Sequence, residues 1–160
     1  MYYKKQIIFL SFLLTIISCN NHAIKQTSIN ESLFDNKIYV KDISGEVGFY
    51  LRQNLRFYLK DNGTKKVLSL NNKISLSTNE YGLSSSNQIT RKDLIAKLTT
   101  TLKKNETTHT FNINERVSFD VSQSSVANKA AEQNASKRLA NLLTQAILTE
   151  LHHMDHDWLK

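Results

Sequence analysis

Four groups of side chains in this sequence are of the types that do chemistry. They are the single cysteine, Cys19, the histidines of the C-terminal stretch HHMDHDW, the run Ser84-Ser85-Ser86, and Glu115. His152 and His156 stand four residues apart. On a helix they would share a face, with Asp155 or Asp157 near enough to add an oxygen ligand to a zinc or copper site. The stretch has no H-E-x-x-H arrangement, and a frayed polar tail explains the same residues, so both histidines stay metal candidates and no metal is assigned. The serine run has no G-x-S-x-G context, and His109 is the only histidine among the central segments, beside a turn. Glu115 falls on the apolar phase of its segment, which calls for either a paired buried carboxylate or a bulge that re-aims it outward. No carboxylate pair has a spacing that would fix a glycosidase geometry. The chain reads as a non-enzyme without a cofactor.

Cys19 belongs to a different chemistry. Lys4 and Lys5 precede an almost wholly apolar run, Ile7 to Ile17, interrupted by Ser11 and Thr15. Eleven residues are too few to cross a bilayer, which takes roughly 20. A charged start, a short apolar core and a small residue before the cut have the grammar of a secretory signal. The end, Ile16-Ile17-Ser18-Cys19, resembles a bacterial lipobox, in which cleavage leaves an acylated cysteine as the first residue. The expected organisation is a signal peptide over 1–18, a lipidated cysteine and polar tether over 19–36, and a single domain over 37–160. The exported part would then have no free thiol to mispair in an oxidising compartment. Three acyl chains hold a protein on a membrane durably, where one does so marginally. Asn20, rather than aspartate, follows the cysteine, which by resemblance to enteric sorting rules favours the outer membrane, on its periplasmic side.

The whole chain carries a formal charge of +7; without Lys4 and Lys5 its 21 basic residues become 19 against 14 acidic, a balance of +5. Export argues against nucleic acid as the partner of that charge, and an anionic lipid or glycolipid is the natural counter-charge outside the cytoplasm. The chain has no proline and four glycines, so its turns must be built from Asn, Ser and Asp.

The elements that would position these groups follow from periodicity. Ile38-Tyr39-Val40 is a short β-type run. Ser44 is placed to cap a helix from Gly45 to Asp61, in which Val47, Leu51, Leu55 and Tyr58 recur at helical spacing and Asn62-Gly63 supplies the stop. Three period-two stretches follow: Leu68 to Leu76, Leu94 to Leu102, and Phe111 to Val121. A long polar loop, Thr78 to Thr90, separates the first two, and the turn Lys104-Asn105-Glu106-Thr107 joins the last two. A helix from Ser125 to His153 closes the chain, with a stripe of Ala127, Ala131, Ala135, Leu139, Leu142, Ala146 and Ile147 and an alanine-rich first half suited to close approach. The order β-α-β-β-β-α predicts an α+β fold, a four-stranded sheet with both helices on one face.

With its lipobox, its tether and this order of elements, the chain resembles the lipopolysaccharide-assembly lipoprotein family LptE. The local likeness lies in Ser125 to Ala135 (SVANKAAEQNA), Lys137-Arg138-Leu139, Ile147 to Leu151, and Gln88 to Lys103 (QITRKDLIAKLTTTLK). The resemblance implies a plug within the lumen of the outer-membrane β-barrel LptD that helps it assemble and contacts lipopolysaccharide in transit. A polar exterior suits a barrel lumen, which is polar and wet. Lipopolysaccharide carries phosphates, for which Arg91, Lys92 and Lys129 are the candidates. Two alternatives compete: a periplasmic metal-binding lipoprotein that uses the C-terminal histidines, and an accessory lipoprotein of another lipid-transport system.

Overall fold

The computed structural model describes residues 37–63, 67–83 and 88–154. Its elements are β1 (Ile38–Val40), α1 (Glu46–Tyr58), β2 (Leu68–Leu83), β3 (Ile89–Lys104), β4 (Thr107–Asp120) and α2 (Ser125–His153). The predicted order and α+β class are those observed. One sheet has the strand order β1-β2-β3-β4. β1 lies parallel to β2, with α1 as the crossover between them, and the other neighbours are antiparallel.

Alternation decides what each face does. Leu68 and Leu70 of β2, Leu94, Ala96, Leu98 and Leu102 of β3, and Ile113 and Val117 of β4 are buried on the side that carries the helices. The other side presents Asn71, Lys73, Lys97, Thr99, Asn112 and Asn114 to solvent, tied across the strands by contacts such as Thr99 Oγ1 to Asn112 Oδ1 at 2.8 Å. β4 keeps an unbroken register with β3, including Ala96 opposite Glu115. No bulge re-aims Glu115, which sits half-buried on the helix side.

Several boundaries differ from the sequence expectation, each for a local reason. Gly45, not Ser44, caps α1; it adopts φ +83° and makes no side-chain cap bond, a conformation open chiefly to glycine. The helix ends at Tyr58 rather than Asp61, because Lys60 turns left-handed and the buried Asp61 carboxylate takes the N–H groups of Val40 and Gly63, each at 2.9 Å. Of the segment expected as a loop from Thr78 to Thr90, residues 78–83 and 89–90 are strand. Pairs across the ladder, such as Glu80 with Lys92, join them. The two-residue turn at Asn105-Glu106 is as expected, with Asn105 at φ +53°, which asparagine tolerates.

The seam of α2 also differs. Ala135, Leu139, Ala140, Leu143, Ile147, Leu148 and Leu151 are buried, whereas Ala127 and Leu142 are exposed. Alternating steps of three and four keep residues on one helix face, while repeated steps of four drift off it. The alanine-rich opening, 125–134, therefore covers nothing closely; its residues are exposed or half-exposed.

α1 has 13 residues and β2 has 16. At about 1.5 Å and 3.3 Å per residue the helix is roughly 20 Å long and the strand roughly 50 Å. α1 thus covers less than half of β2, and Leu76, still in the apolar phase, is 45% exposed. The body has a base, where the chain enters at Lys37 and the β3–β4 turn lies. It also has a far end, where β2, β3 and β4 outrun α1 and where α2 begins.

Candidate functional site

The far end holds the three cations singled out from sequence, but not in one pocket. Arg91 and Lys92 are adjacent on β3, so their side chains leave opposite faces of the sheet. Arg91 faces the open side, where its Nε lies 3.3 Å from Asp120 Oδ1. Lys92 faces the helix side, with Nζ 2.5 Å from Glu80 Oε1. Both pairs are partly exposed, and such pairs contribute little and exchange readily with other anions. Lys129 is exposed in the second turn of α2. The three thus ring one end of the molecule rather than converge on a point.

The start of α2 is fixed to this end by several short bonds. Val121 N–H donates to Thr90 O at 2.8 Å, joining the end of β4 to the start of β3. Asn128 clasps Ser122 from both sides: its Oδ1 accepts from Ser122 N at 2.7 Å and its Nδ2 donates to Ser122 O at 2.9 Å. Ser124 caps the helix, its Oγ accepting from Ala127 N at 3.3 Å. Beneath this junction an open cleft of about 640 Å³ is lined by Gln88, Ile89, Thr90, Val121, Ser122 and Gln123. Val126, 79% exposed, stands beside it on the first turn of the helix. The end therefore combines a cleft of mixed polarity, an exposed apolar residue and three peripheral cations.

One residue of this end was not legible from sequence. Asp93, on the open face of β3, is only 6% exposed. Ser118 Oγ donates to its Oδ1 at 2.6 Å and Tyr81 Oη at 2.8 Å, while Arg116 Nη1 lies 3.6 Å from Oδ2. The Ser118 hydrogen bond above all, then the Tyr81 hydroxyl and the charges of Arg116 and Arg91, hold the Asp93 carboxyl below its ordinary range against the opposing effect of burial. The cluster pins β2, β3 and β4 together on the open face, which no helix covers. Aspartate inside a strand is an unfavourable choice, and that was the available signal; its partners emerge only from the strand register.

The remaining candidates divide by position. Cys19, His156 and the run Ser84-Ser85-Ser86 lie outside the described residues. His152 is exposed in the last turn of α2, its ring 6.2 Å from that of His153. Among the described residues no group of three His, Cys, Asp or Glu side chains is placed to hold a metal ion. His109 is exposed on β4, with its ring 6.1 Å from Phe111.

Comparison with known proteins agrees with this architecture. A lipoprotein from Caulobacter crescentus CB15 superposes with a TM-score of 0.62 at 20% identity, over 83% of this chain and 96% of that one. A minor lipoprotein from Acinetobacter baumannii gives 0.50 at 14% identity, over 72% and 94%. At these identities the likeness is one of fold. No curated protein sequence matches the chain. The profile of the lipopolysaccharide-assembly family LptE matches residues 35–151, from just before β1 to the last buried turn of α2. That span takes in β1 to β4, α1 and all but the last two residues of α2, so the chain belongs to the LptE family, whose work is lipopolysaccharide assembly and not catalysis.

Proposed function

We propose that the protein is an outer-membrane lipoprotein, made with a signal peptide over 1–18 and anchored through acylated Cys19. Its folded domain plugs and helps to assemble the LptD β-barrel, and it aids lipopolysaccharide on its way to the cell surface. The observation that carries this reading is the open sheet face. It runs roughly 50 Å along β3 with no helix over it, and over its middle Asn71, Lys73, Lys97, Thr99, Asn112 and Asn114 present polar side chains to solvent, while Tyr81 and Leu83 are exposed toward the far end. An exposed face of that size needs no apolar partner, yet it offers hydrogen-bonding groups to a polar, wet wall such as a barrel lumen. Membership of the LptE family supports the lipopolysaccharide part of the reading. The structural neighbours, themselves named as lipoproteins, agree with the anchor. In this role the far end contacts lipopolysaccharide, with Arg91, Lys92 and Lys129 at its phosphates and Val126 and Ile89 beside its acyl chains.

Purification of the lipidated protein from its own membranes in mild detergent tests the proposal. A stoichiometric outer-membrane barrel is the expected companion. Recovery alone, or with an inner-membrane transporter, would overturn the plug reading.

A further inference from the structure

The base of the body carries a second set of groups, remote from Arg91 and Lys129. Its lowest rung is Ile38, Leu68, Lys104 and Thr107, side by side across the sheet. On the open side of this rung Tyr39, Lys41, Val67, Ser69, Lys103 and Asn105 line a shallow concavity of about 550 Å³. Val67 is 68% exposed there, and none of the lining residues is a carboxylate. On the helix side of the same end, the last turn of α1 presents Phe57, 78% exposed, packed edge-to-face against Tyr58 at 5.4 Å. The Asp61 bond to Val40 N–H ties this turn to β1, so the two sides form one rim.

Cations outnumber exposed acids on the rim. Lys37, Lys41 and Lys103 are exposed on it. Of the described acids nearby, Asp61 is buried and engaged, Asp42 is held by Arg52 at 2.7 Å, and Glu106 sits in the hairpin turn. Exposed aromatic rings among lysines suit the boundary of a lipid bilayer, where rings settle at headgroup depth and ammonium groups meet lipid phosphates. Position supplies the independent argument. The described chain starts at Lys37 on this rim, and only 17 residues, 20–36, separate it from the thiol proposed to carry the acyl chains. An anchor there keeps this end, and not the far end, at high local concentration beside the leaflet.

We infer that the base docks on the anionic phospholipid leaflet in which Cys19 is anchored, with Lys41 and Lys103 at lipid phosphates and Phe57 and Val67 in the interface. The inference rests on the anchoring part of the proposed function. It describes the anchored lipoprotein before the domain enters a barrel, with the base held on the membrane.

A chain of residues 20–160 tests the docking without the lipid; it retains every core residue from Ile38 to Leu151. It should float with vesicles containing phosphatidylglycerol and dissociate at high salt. The double substitution Lys41→Glu with Lys103→Glu should weaken binding about tenfold or more, and Phe57→Ser several-fold. Arg138→Glu, exposed midway along α2, should leave it unchanged, with circular dichroism reporting that each variant is folded. Equal binding to pure phosphatidylcholine, or undiminished binding by the double variant, would overturn the inference. If the unlipidated chain ignores both vesicle types while the lipidated protein still brings down a barrel, the docking fails and the proposed function stands. Docking without a recovered barrel would give the opposite division.

Discussion

At the level of Leu70, Leu98 and Leu102 the sheet lies beneath α1 and the second half of α2, and these side chains are fully enclosed with Leu51, Leu55, Leu139 and Leu143. At the level of Glu80, Lys92 and Phe119 the same three strands continue with α1 no longer above them. The ladder there is held by its backbone bonds, the Asp93 cluster and two surface ion pairs. One sheet therefore has a half stabilised by apolar burial and a half stabilised by polar contacts. Segments with few buried apolar contacts open at lower free energy than the core. If the far end handles lipopolysaccharide as proposed, structure of the second kind would let it admit an acyl chain or a phosphate without disturbing the first.

The comparison is broken most directly from the covered half. Leu102→Ala should cost about 2–5 kcal/mol, because the side chain is wholly enclosed and leaves a cavity. Leu76→Ala, in the same phase of the neighbouring strand but half-exposed, should cost under about 1 kcal/mol. Urea denaturation of both variants measures the difference, and equal losses would mean that the far half is packed as well as the base.

Asp61→Ala comes next. It strands the N–H of Val40, which is buried, and that of Gly63, for a loss of about 1–3 kcal/mol by the same measurement.

Asp93 sharpens the contrast through pH. Its carboxyl titrates lower in the folded protein than in the unfolded chain. Its contribution is therefore complete above the unfolded value of about 3.9 and is lost as pH falls from there through the folded value. Thermal melts of Asp93→Asn and the parent should differ at neutral pH and converge in acid. A constant difference would assign Asp93 a role independent of its charge.

Lys129→Glu has the smallest expected effect on folding, within about 0.5 kcal/mol. Lipopolysaccharide binding by the same variant should fall, whereas a matched loss of stability would make Lys129 a structural residue.

Legibility from sequence followed the same division. The alternation of β3 and β4 identified Leu94, Ala96, Leu98, Leu102, Ile113 and Val117, because burial on one face of a strand imposes a period of two. The upper parts of β2 and β3 were hidden. Residues 78–83 and 89–90 carry no apolar alternation, since neither face is deeply buried there, and strand pairing rather than side-chain pattern makes them regular. In α2 the spacing of Ala127 and Ala131 misleads, because alanine does not reveal whether anything lies against it. Of the candidate site, the cations of the far end were visible as residue types. Their distribution over two sheet faces and a helix depended on register, as did the partners of Asp93. The base rim was missed because Tyr39, Val67 and Phe57 belong to three different segments that meet only in the fold.

The central claim is that the far end, and not the base, handles lipopolysaccharide. A photo-reactive residue placed in living cells at Gln123, in the far cleft, or at Asn105, in the turn at the base, tests it most directly. The account predicts lipopolysaccharide adducts from position 123 and none from position 105. Adducts confined to position 105 would contradict it.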